Sequence, residues 1–396
     1  MRILLLTFYF EPDLCAGSFR NTALVEAFSK HLKKEDHLDV VTTMPNRYST
    51  YQADASEFEK YASNIHVYRS ELPEHKSGFF DQINSFKAYY VSARKQVKDK
   101  DYDLVIASSS RLFTAFLGAR VSSNKKAPLF LDMRDLFREN MQEIIKNQLI
   151  NYPLDIFLSF IEKYTFNKAD RINIVSEGFR DFFEKFDSPI SFFPNGIDEV
   201  FLKNDFEKSM GEQSKRIITY AGNIGDGQGL HKIIPQTAKL LEDSDYVFRI
   251  IGDGGTRHLL EKELNELKSK NIELIDPVNR DSLLNYYKET DYLLLHLNDY
   301  DAFKKVLPSK IFEYAATGKP IIAGVGGYAK EFLKEHVEGL LLFEPCNENE
   351  LSEALKSNVL PKDMVDRKDF INKFARSSIM NQMAEYILEI YQGKNE

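Results

Sequence analysis

The chain has 396 residues, 43% of them hydrophobic and 28% charged, an ordinary globular composition that excludes disordered, collagen-like and coiled-coil chains and, at roughly 150 residues per domain, favours two domains. The formal net charge of -8 is uneven, balanced up to residue 195 with the whole acidic excess beyond it, and the absence of a basic domain excludes a dedicated nucleic-acid binder. No stretch reaches the roughly 18 to 20 apolar residues of a bilayer span, Met1 to Phe10 lacks the basic region and cleavage site of a secretion signal, and Cys15 and Cys346 cannot build a disulfide framework or a Cys-based zinc site; a cytoplasmic location is expected.

The apolar run Ile3–Phe8 lacks alternation and predicts a buried strand. Turn-forming Glu11-Pro12-Asp13 and Gly17-Ser18 follow, and then the helical period of Ala23, Leu24, Ala27, Phe28 and His31. The same strand signal recurs at Leu38–Thr42, Leu104–Ala107 and Leu129–Leu131. A second series opens at Ile217–Ala221 and continues through Phe248–Ile251, Ile272–Ile275, Tyr292–Leu295, Pro320–Ala323 and Gly339–Phe343. Repeated βα alternation predicts an α/β chain of two Rossmann-like domains, each a parallel sheet covered by helices.

The join is expected at Pro194-Asn195-Gly196, where turn residues and the change in charge balance coincide. This gives a first domain over 1–195, a second over 196–368 and a C-terminal helix over 369–396 expected to pack back on the first. Apolar positions at Phe370, Phe374, Ile379, Met383, Ile387 and Ile390 read as one amphipathic helix. Two such domains joined by a hinge form a cleft, and ligands of doubly wound sheets bind beyond the carboxyl ends of the strands.

Three loops there carry chemistry. Gly17 follows the first strand and lets the backbone approach an anion, or simply turns the chain. The run Gly222-Asn223-Ile224-Gly225-Asp226-Gly227-Gln228-Gly229 has the permissive backbone to cradle a diphosphate, but neither the dinucleotide nor the P-loop spacing. Gly252-Asp253-Gly254-Gly255 adds a second permissive loop at the same sheet edge. In Pro308-Ser309-Lys310-Ile311-Phe312-Glu313, a helix start with Ser309 and Lys310 suits a phosphate and Glu313 suits two ribose hydroxyls; a capped helix with a solvated face fits the same residues.

The segment Pro308–Ile322 resembles the signature of glycosyltransferase family 4, retaining sugar-nucleotide enzymes of the GT-B fold. Val175-Ser176-Glu177-Gly178-Phe179, Pro194-Asn195-Gly196-Ile197-Asp198, the Gly222 loop, Gly252-Asp253-Gly254 and Asp291–Leu295 agree with it in order. Asp132-Met133-Arg134-Asp135 looks like the Asp-x-Arg-Asp element of a branch that transfers N-acetylated sugars in O-antigen and capsule assembly, with L-fucosamine transferases the nearest comparison. The resemblance implies a UDP-sugar donor, Glu313 on the ribose, and the loops at Gly17, Asn223, Gly225, Gln228, Gly252, Asp253, Gly254, Ser309 and Lys310 around the diphosphate. It also implies that 1–195 is the acceptor-binding domain, with Asp132, Arg134 and Asp135 facing the acceptor, and 196–368 the nucleotide-sugar-binding domain. Two departures stand out: Asn223 and Gln228 occupy positions where many members have Arg and Lys, and Lys305 replaces a Glu eight residues before the ribose Glu.

Stabilisation of the leaving diphosphate then falls on amide groups and Lys310. No divalent metal is expected, since no acidic or histidine cluster has ligand spacing. Asp132 and Asp135 are candidates for activating the acceptor hydroxyl, with Arg134 holding their charge or an acceptor phosphate; a structural Arg134–Asp135 ion pair is the alternative. Two aromatic stripes, Phe79, Phe80, Ile83, Phe86 and Tyr90 beside Lys76, Lys87, Arg94, Lys95 and Lys98, and Ile156, Phe157, Phe160, Ile161 and Tyr164, fit either a core or a membrane surface. With a lipid-linked acceptor, undecaprenyl-diphosphate-linked saccharide at the inner membrane surface, the second option follows. The competing functions are a UDP-N-acetylsugar 2-epimerase and a non-catalytic sugar-nucleotide-binding module.

Overall fold

The computed structural model describes residues 1–46, 54–73, 79–109, 111–145, 148–207, 215–357, 360–361 and 363–392. The chain divides into two compact units, Met1–Asn195 with Arg376–Glu396, and Gly196–Ala375.

The first unit begins β1 (Arg2–Thr7), α1 (Ala16–His31), β2 (His37–Thr43), β3 (Phe58–Ala62), β4 (Ile65–Ser70), α2 (Phe79–Val97) and β5 (Leu104–Ser109). It continues with α3 (Leu112–Lys125), β6 (Leu129–Met133), α4 (Phe137–Ile144), α5 (Gln148–Phe166), β7 (Arg171–Ile174), α6 (Arg180–Phe183) and β8 (Ile190–Phe192). These strands form one sheet in the order β3-β4-β2-β1-β5-β6-β7-β8. Every pair is parallel except β3 with β4. Ile3–Leu6 of β1, Leu104–Ala107 of β5 and Leu129–Leu131 of β6 are continuous apolar runs because helices cover both faces of a parallel sheet.

The second unit runs α7 (Glu199–Leu202), β9 (Arg216–Ala221), α8 (Leu230–Leu240), β10 (Tyr246–Ile251), α9 (Arg257–Leu267), β11 (Ile272–Ile275), α10 (Arg280–Glu289) and β12 (Tyr292–His296). It ends with α11 (Lys310–Ala316), β13 (Ile321–Gly324), α12 (Gly327–His336), β14 (Leu340–Phe343), α13 (Glu348–Lys356) and α14 (Lys368–Phe374). Its sheet is wholly parallel in the order β11-β10-β9-β12-β13-β14, with a core of Ile218, Phe248, Ile250, Leu294 and Ile322 beneath Ile233 and Leu351 of the covering helices.

Two features depart from the sequence reading. The stretch from 369 to 391 is not one helix: the chain turns extended at Ala375, between α14 and α15 (Arg376–Gln392). Ala375 bridges Ile197, and α15 returns to the first unit, where it lies on α1 with Met380, Met383, Ala384 and Ile387 fully buried. Strands β3, β4, β7 and β8 carry no clear apolar run, because β3 and β8 are partly exposed, β4 is broken by His66 and Arg69, and β7 has four residues.

Candidate active site

In a doubly wound sheet, the loops flanking the reversal of strand order open a crevice at the carboxyl edge. In the second unit the reversal falls between β9 and β12, so the segments 222–229 and 297–309 flank it. Lys310 opens α11 at the end of the second segment, and its side chain reaches the start of the first. A Cβ added to Gly222 would stand 2.5 Å from both Cε and Nζ of Lys310. Gly222 also has φ +147°, so glycine alone satisfies both the backbone and the space the lysine occupies.

Lys310 is half-buried. Burial pushes its ammonium below the usual lysine range, with Glu313 opposing the shift. The ammonium lies 5.8 and 6.0 Å from the ring centroids of Tyr220 and Tyr314, and among the described residues it makes no hydrogen bond or ion pair. Glu313, also half-buried, likewise lacks a hydrogen-bond partner among the described residues. Opposite charges three residues apart, each partly withdrawn from water and without a hydrogen-bond or ion-pair partner among the described residues, leave an ammonium with unused donors beside a carboxylate with unused acceptors. Ser309 does not cap this helix: its backbone is already helical, at φ -60° and ψ -26°, and its hydroxyl makes no cap bond.

The Gly222 loop is tied internally. Asn223 Nδ2 donates to Gln228 Oε1 at 2.8 Å, so the two residues that replace the expected cations form a neutral pair. A Cβ on Gly225 would stand 2.4 Å from Asn223 Nδ2. Gly252 and Gly254 pack the next loop against this one, since added Cβ atoms would lie 1.9 Å from the Gly222 carbonyl oxygen and 2.5 Å from that of Ile224. Asp253 is exposed, its carboxylate accepting from the Gly254 amide, and its carbonyl accepts from the Ile224 amide at 2.8 Å.

Sequence reasoning missed what supports this loop from below. His296 ends β12, fully buried, its Nδ1 2.6 Å from the Gln228 carbonyl oxygen, while its Nε2 accepts the Cys346 amide at 2.9 Å. The ring is therefore neutral with its proton on Nδ1, and burial pushes its pKa down to about 4. Asn298 donates to the Asp226 carbonyl and accepts from Lys232 Nζ at 2.9 Å. These two residues follow an apolar run with no motif of their own.

In the first unit the order reverses between β1 and β5. Gly17 and Arg134 meet here: a Cβ on Gly17 would stand 2.2 Å from an Arg134 Nη atom, so this glycine makes room for the guanidinium. Arg111, not singled out by its sequence context, follows β5 and donates to the Tyr9 hydroxyl at 3.0 Å, with its guanidinium 4.6 Å from the Phe8 ring centroid. Asp135 is half-buried, and burial raises its carboxyl to about 6 against the lowering effect of the Asn140 hydrogen bond.

Asp132, expected beside the acceptor, is instead fully buried. It accepts two bonds from Arg20 at 2.9 Å and one each from Ser108 and Asn173 at 2.8 Å. Burial alone would raise its pKa, but the Arg20 guanidinium holds it below the usual range. Arg20, itself fully buried, also donates to the carbonyls of Phe193 and Pro194 and meets Met383 of α15. An arginine on the buried stripe of α1, four residues before Leu24, was the available signal.

Residues 203–373 match the family described as Glycosyl transferases group 1. Over its full length the chain superposes on the Anabaena protein HepE, solved in complex with UDP, with a TM-score of 0.62, 14% identity and coverage of 100% of this chain and 98% of that one. The fold is GT-B. A Listeria monocytogenes structure named as a UDP-N-acetylglucosamine 2-epimerase shares this GT-B fold, at TM-score 0.59, 12% identity and coverage of 99% and 97%. Among curated proteins the chain is 30% identical over 232 residues to WcaI of Escherichia coli K12, named as a colanic acid biosynthesis glycosyl transferase. That match takes in 54% of this chain and 53% of WcaI, so the chain spans about half the length of this relative. No described helix is long and apolar enough to cross a membrane, and no three His, Cys, Asp or Glu side chains among the described residues are grouped to hold a metal ion.

Proposed function

We propose that the chain is a retaining glycosyltransferase that moves a sugar from a UDP-sugar to a lipid-linked or saccharide acceptor in surface polysaccharide assembly. N-acetylated sugars of the L-fucosamine type are the leading donor class, and an undecaprenyl-diphosphate-linked saccharide at the inner membrane surface is the leading acceptor. The observation that carries this reading is the pair Lys310 and Glu313 at the switch point of the second sheet, half-buried and without hydrogen-bond or ion-pair partners among the described residues. The match of this unit to a glycosyltransferase family and the resemblance to WcaI support it.

In this reading Lys310 meets the diphosphate, whose negative charge grows as the glycosidic bond breaks, and Glu313 accepts from the ribose hydroxyls. Asn223 and Gln228 bring no charge, so Lys310 carries more of the electrostatic load than a lysine backed by further cations would. The loop amides from Gly222 to Gly229 and the Gly252–Gly254 turn complete the donor site. On the acceptor side, Asp135 takes the hydroxyl proton and Arg134 offsets its charge, while Asp132 acts through Arg20 as an internal brace. No metal takes part, and EDTA is expected to leave the rate unchanged. The test is product analysis: with UDP-N-acetylsugars and a lipid-linked saccharide extract, UDP release should depend on acceptor, and the product should retain the anomeric configuration. The fold shared with the Listeria protein motivates a second reading as an epimerase; conversion of the donor at C2 without acceptor would establish it.

A further inference from the structure

The apolar stripe of α5 lies on the outside of the protein. Tyr152, Ile156, Phe157 and Phe160 are 72%, 54%, 51% and 70% exposed, while Leu158 and Ile161 of the same helix are buried. At this spacing the four outward side chains share one helix face. Scattered surface hydrophobics are ordinary, but a contiguous row of rings marks a binding surface. Helix α2 adds Ile83 and Val91, 47% and 60% exposed, whereas Phe86 and Tyr90 of its stripe turn inward to join an aromatic ladder. Lys76 and the side chains of Phe79 and Phe80 lie outside the described residues. The ladder runs from Tyr90 to Phe116 at 6.3 Å and on to Tyr164 at 5.6 Å, which sets α2, α3 and α5 side by side on one face of the sheet.

Charge identifies the occupant. The chain carries a net -8, yet Lys87, Arg94, Lys95, Arg120 and Lys163 are exposed on these three helices. Helix α3 has no acidic residue, and both acids of α5, Asp155 and Glu162, are held by Arg138 at 2.6 and 3.2 Å. Asp81, the acid of α2, has a side chain outside the described residues. Among the described side chains of these three helices, then, no acidic group is exposed. Rings flanked by cations combine the two attractions that hold a peripheral protein on a bilayer, apolar insertion at the headgroup boundary and attraction to lipid phosphates.

We infer that the outer face of α5, with the basic rim from α2 and α3, docks the protein on an anionic bilayer surface. Its role rests on the proposed function, because it brings the first unit to a lipid-linked acceptor; its binding chemistry does not.

The experiment is co-sedimentation of the full chain with vesicles of phosphatidylcholine alone and of phosphatidylcholine with phosphatidylglycerol, at low and high salt. The chain is expected to pellet with the anionic vesicles only and to be released progressively by salt. The double variant Phe157→Ser/Phe160→Ser should lower the partition about tenfold or more for each ring removed, and Arg94→Glu/Lys163→Glu should lower it while leaving the rings in place. Both sets of positions are exposed, so the variants should keep the wild-type melting temperature and its shift with UDP. Wild-type protein that stays in the supernatant with anionic vesicles, or variants that pellet like wild type, would overturn the inference. A dimer abolished by the Phe variants, with no vesicle binding, would overturn it too and assign the face to a second copy of the chain. Loss of the UDP effect with vesicle binding intact would strike the proposed function and leave the docking face standing.

Discussion

Lys310 and Gly222 form a unit of two residues, an ammonium and the space it needs. Removing the ammonium deletes a charge-assisted contact of about 1.5 to 3 kcal/mol, so Lys310→Ala should weaken UDP binding by about tenfold to a hundredfold with little change in melting temperature. Gly222→Ala should weaken binding as well, since the methyl group must displace the lysine and strain a backbone at φ +147°. Calorimetric titration reads both. Asp135 carries a pH dependence whose sign follows from its environment. Burial lifts its carboxyl from 3.8 to about 6, so the folded chain holds the proton more tightly than the unfolded chain. Ionisation therefore costs stability as pH rises from 3.8 through 6, and the cost is complete above that window. Asp135→Asn should melt higher than wild type well above pH 6 and lose the advantage near pH 3.8. In its proposed role as the acceptor's base, Asp135 should also give a rate that rises with pH through about 6, a limb absent from the residual activity of Asp135→Asn. Replacing Arg20 strands the buried Asp132 charge, and Arg20→Met is expected to cost about 3 to 5 kcal/mol in urea unfolding. The double variant Arg20→Met/Asp132→Asn should recover part of that loss.

At the level of elements, legibility followed burial. Strands covered on both faces hold apolar runs that sequence alone marks, such as Leu129–Leu131 and Tyr292–Leu295, and the loops after them were therefore findable. Strand β4 mixes His66, Tyr68 and Arg69 into its run, and its neighbour β3, the partly exposed edge of the sheet, leaves no pattern to read. The same logic sorts the site residues. Lys310 and Glu313 in the first turn of α11 and the glycines of the loops lie in segments whose composition announces them, and Gly17 and Arg134 were each singled out, although their mutual fit depends on a contact across 117 positions of sequence. Arg20 and His296 act through long-range bonds to carbonyls and amides, which leave no local spacing. Periodicity placed the aromatic residues of α5 on one helix but could not tell whether that face meets core or solvent, because a ring stripe is the same in either setting.

For the whole molecule, the return of α15 to the first unit means that the last helix completes a domain begun nearly 400 residues earlier. Met380, Met383, Ala384 and Ile387 are fully buried there, and Met383 touches the Arg20 guanidinium. A chain ending at Ala375 would uncover the apolar face of α1 and open the Arg20–Asp132 brace, so its first unit should melt at a lower temperature or aggregate, while the full chain stays monodisperse in parallel scattering runs. The central claim is that a nucleoside diphosphate is held by Lys310 and Glu313 at the switch point of the second sheet. Titration of the full chain with UDP, repeated with Lys310→Ala and Glu313→Gln, tests it most directly. The account predicts saturable binding that each substitution weakens, Lys310→Ala the more strongly because it removes the charge facing the phosphates. Absence of binding to UDP, or equal affinity in all three proteins, would contradict it.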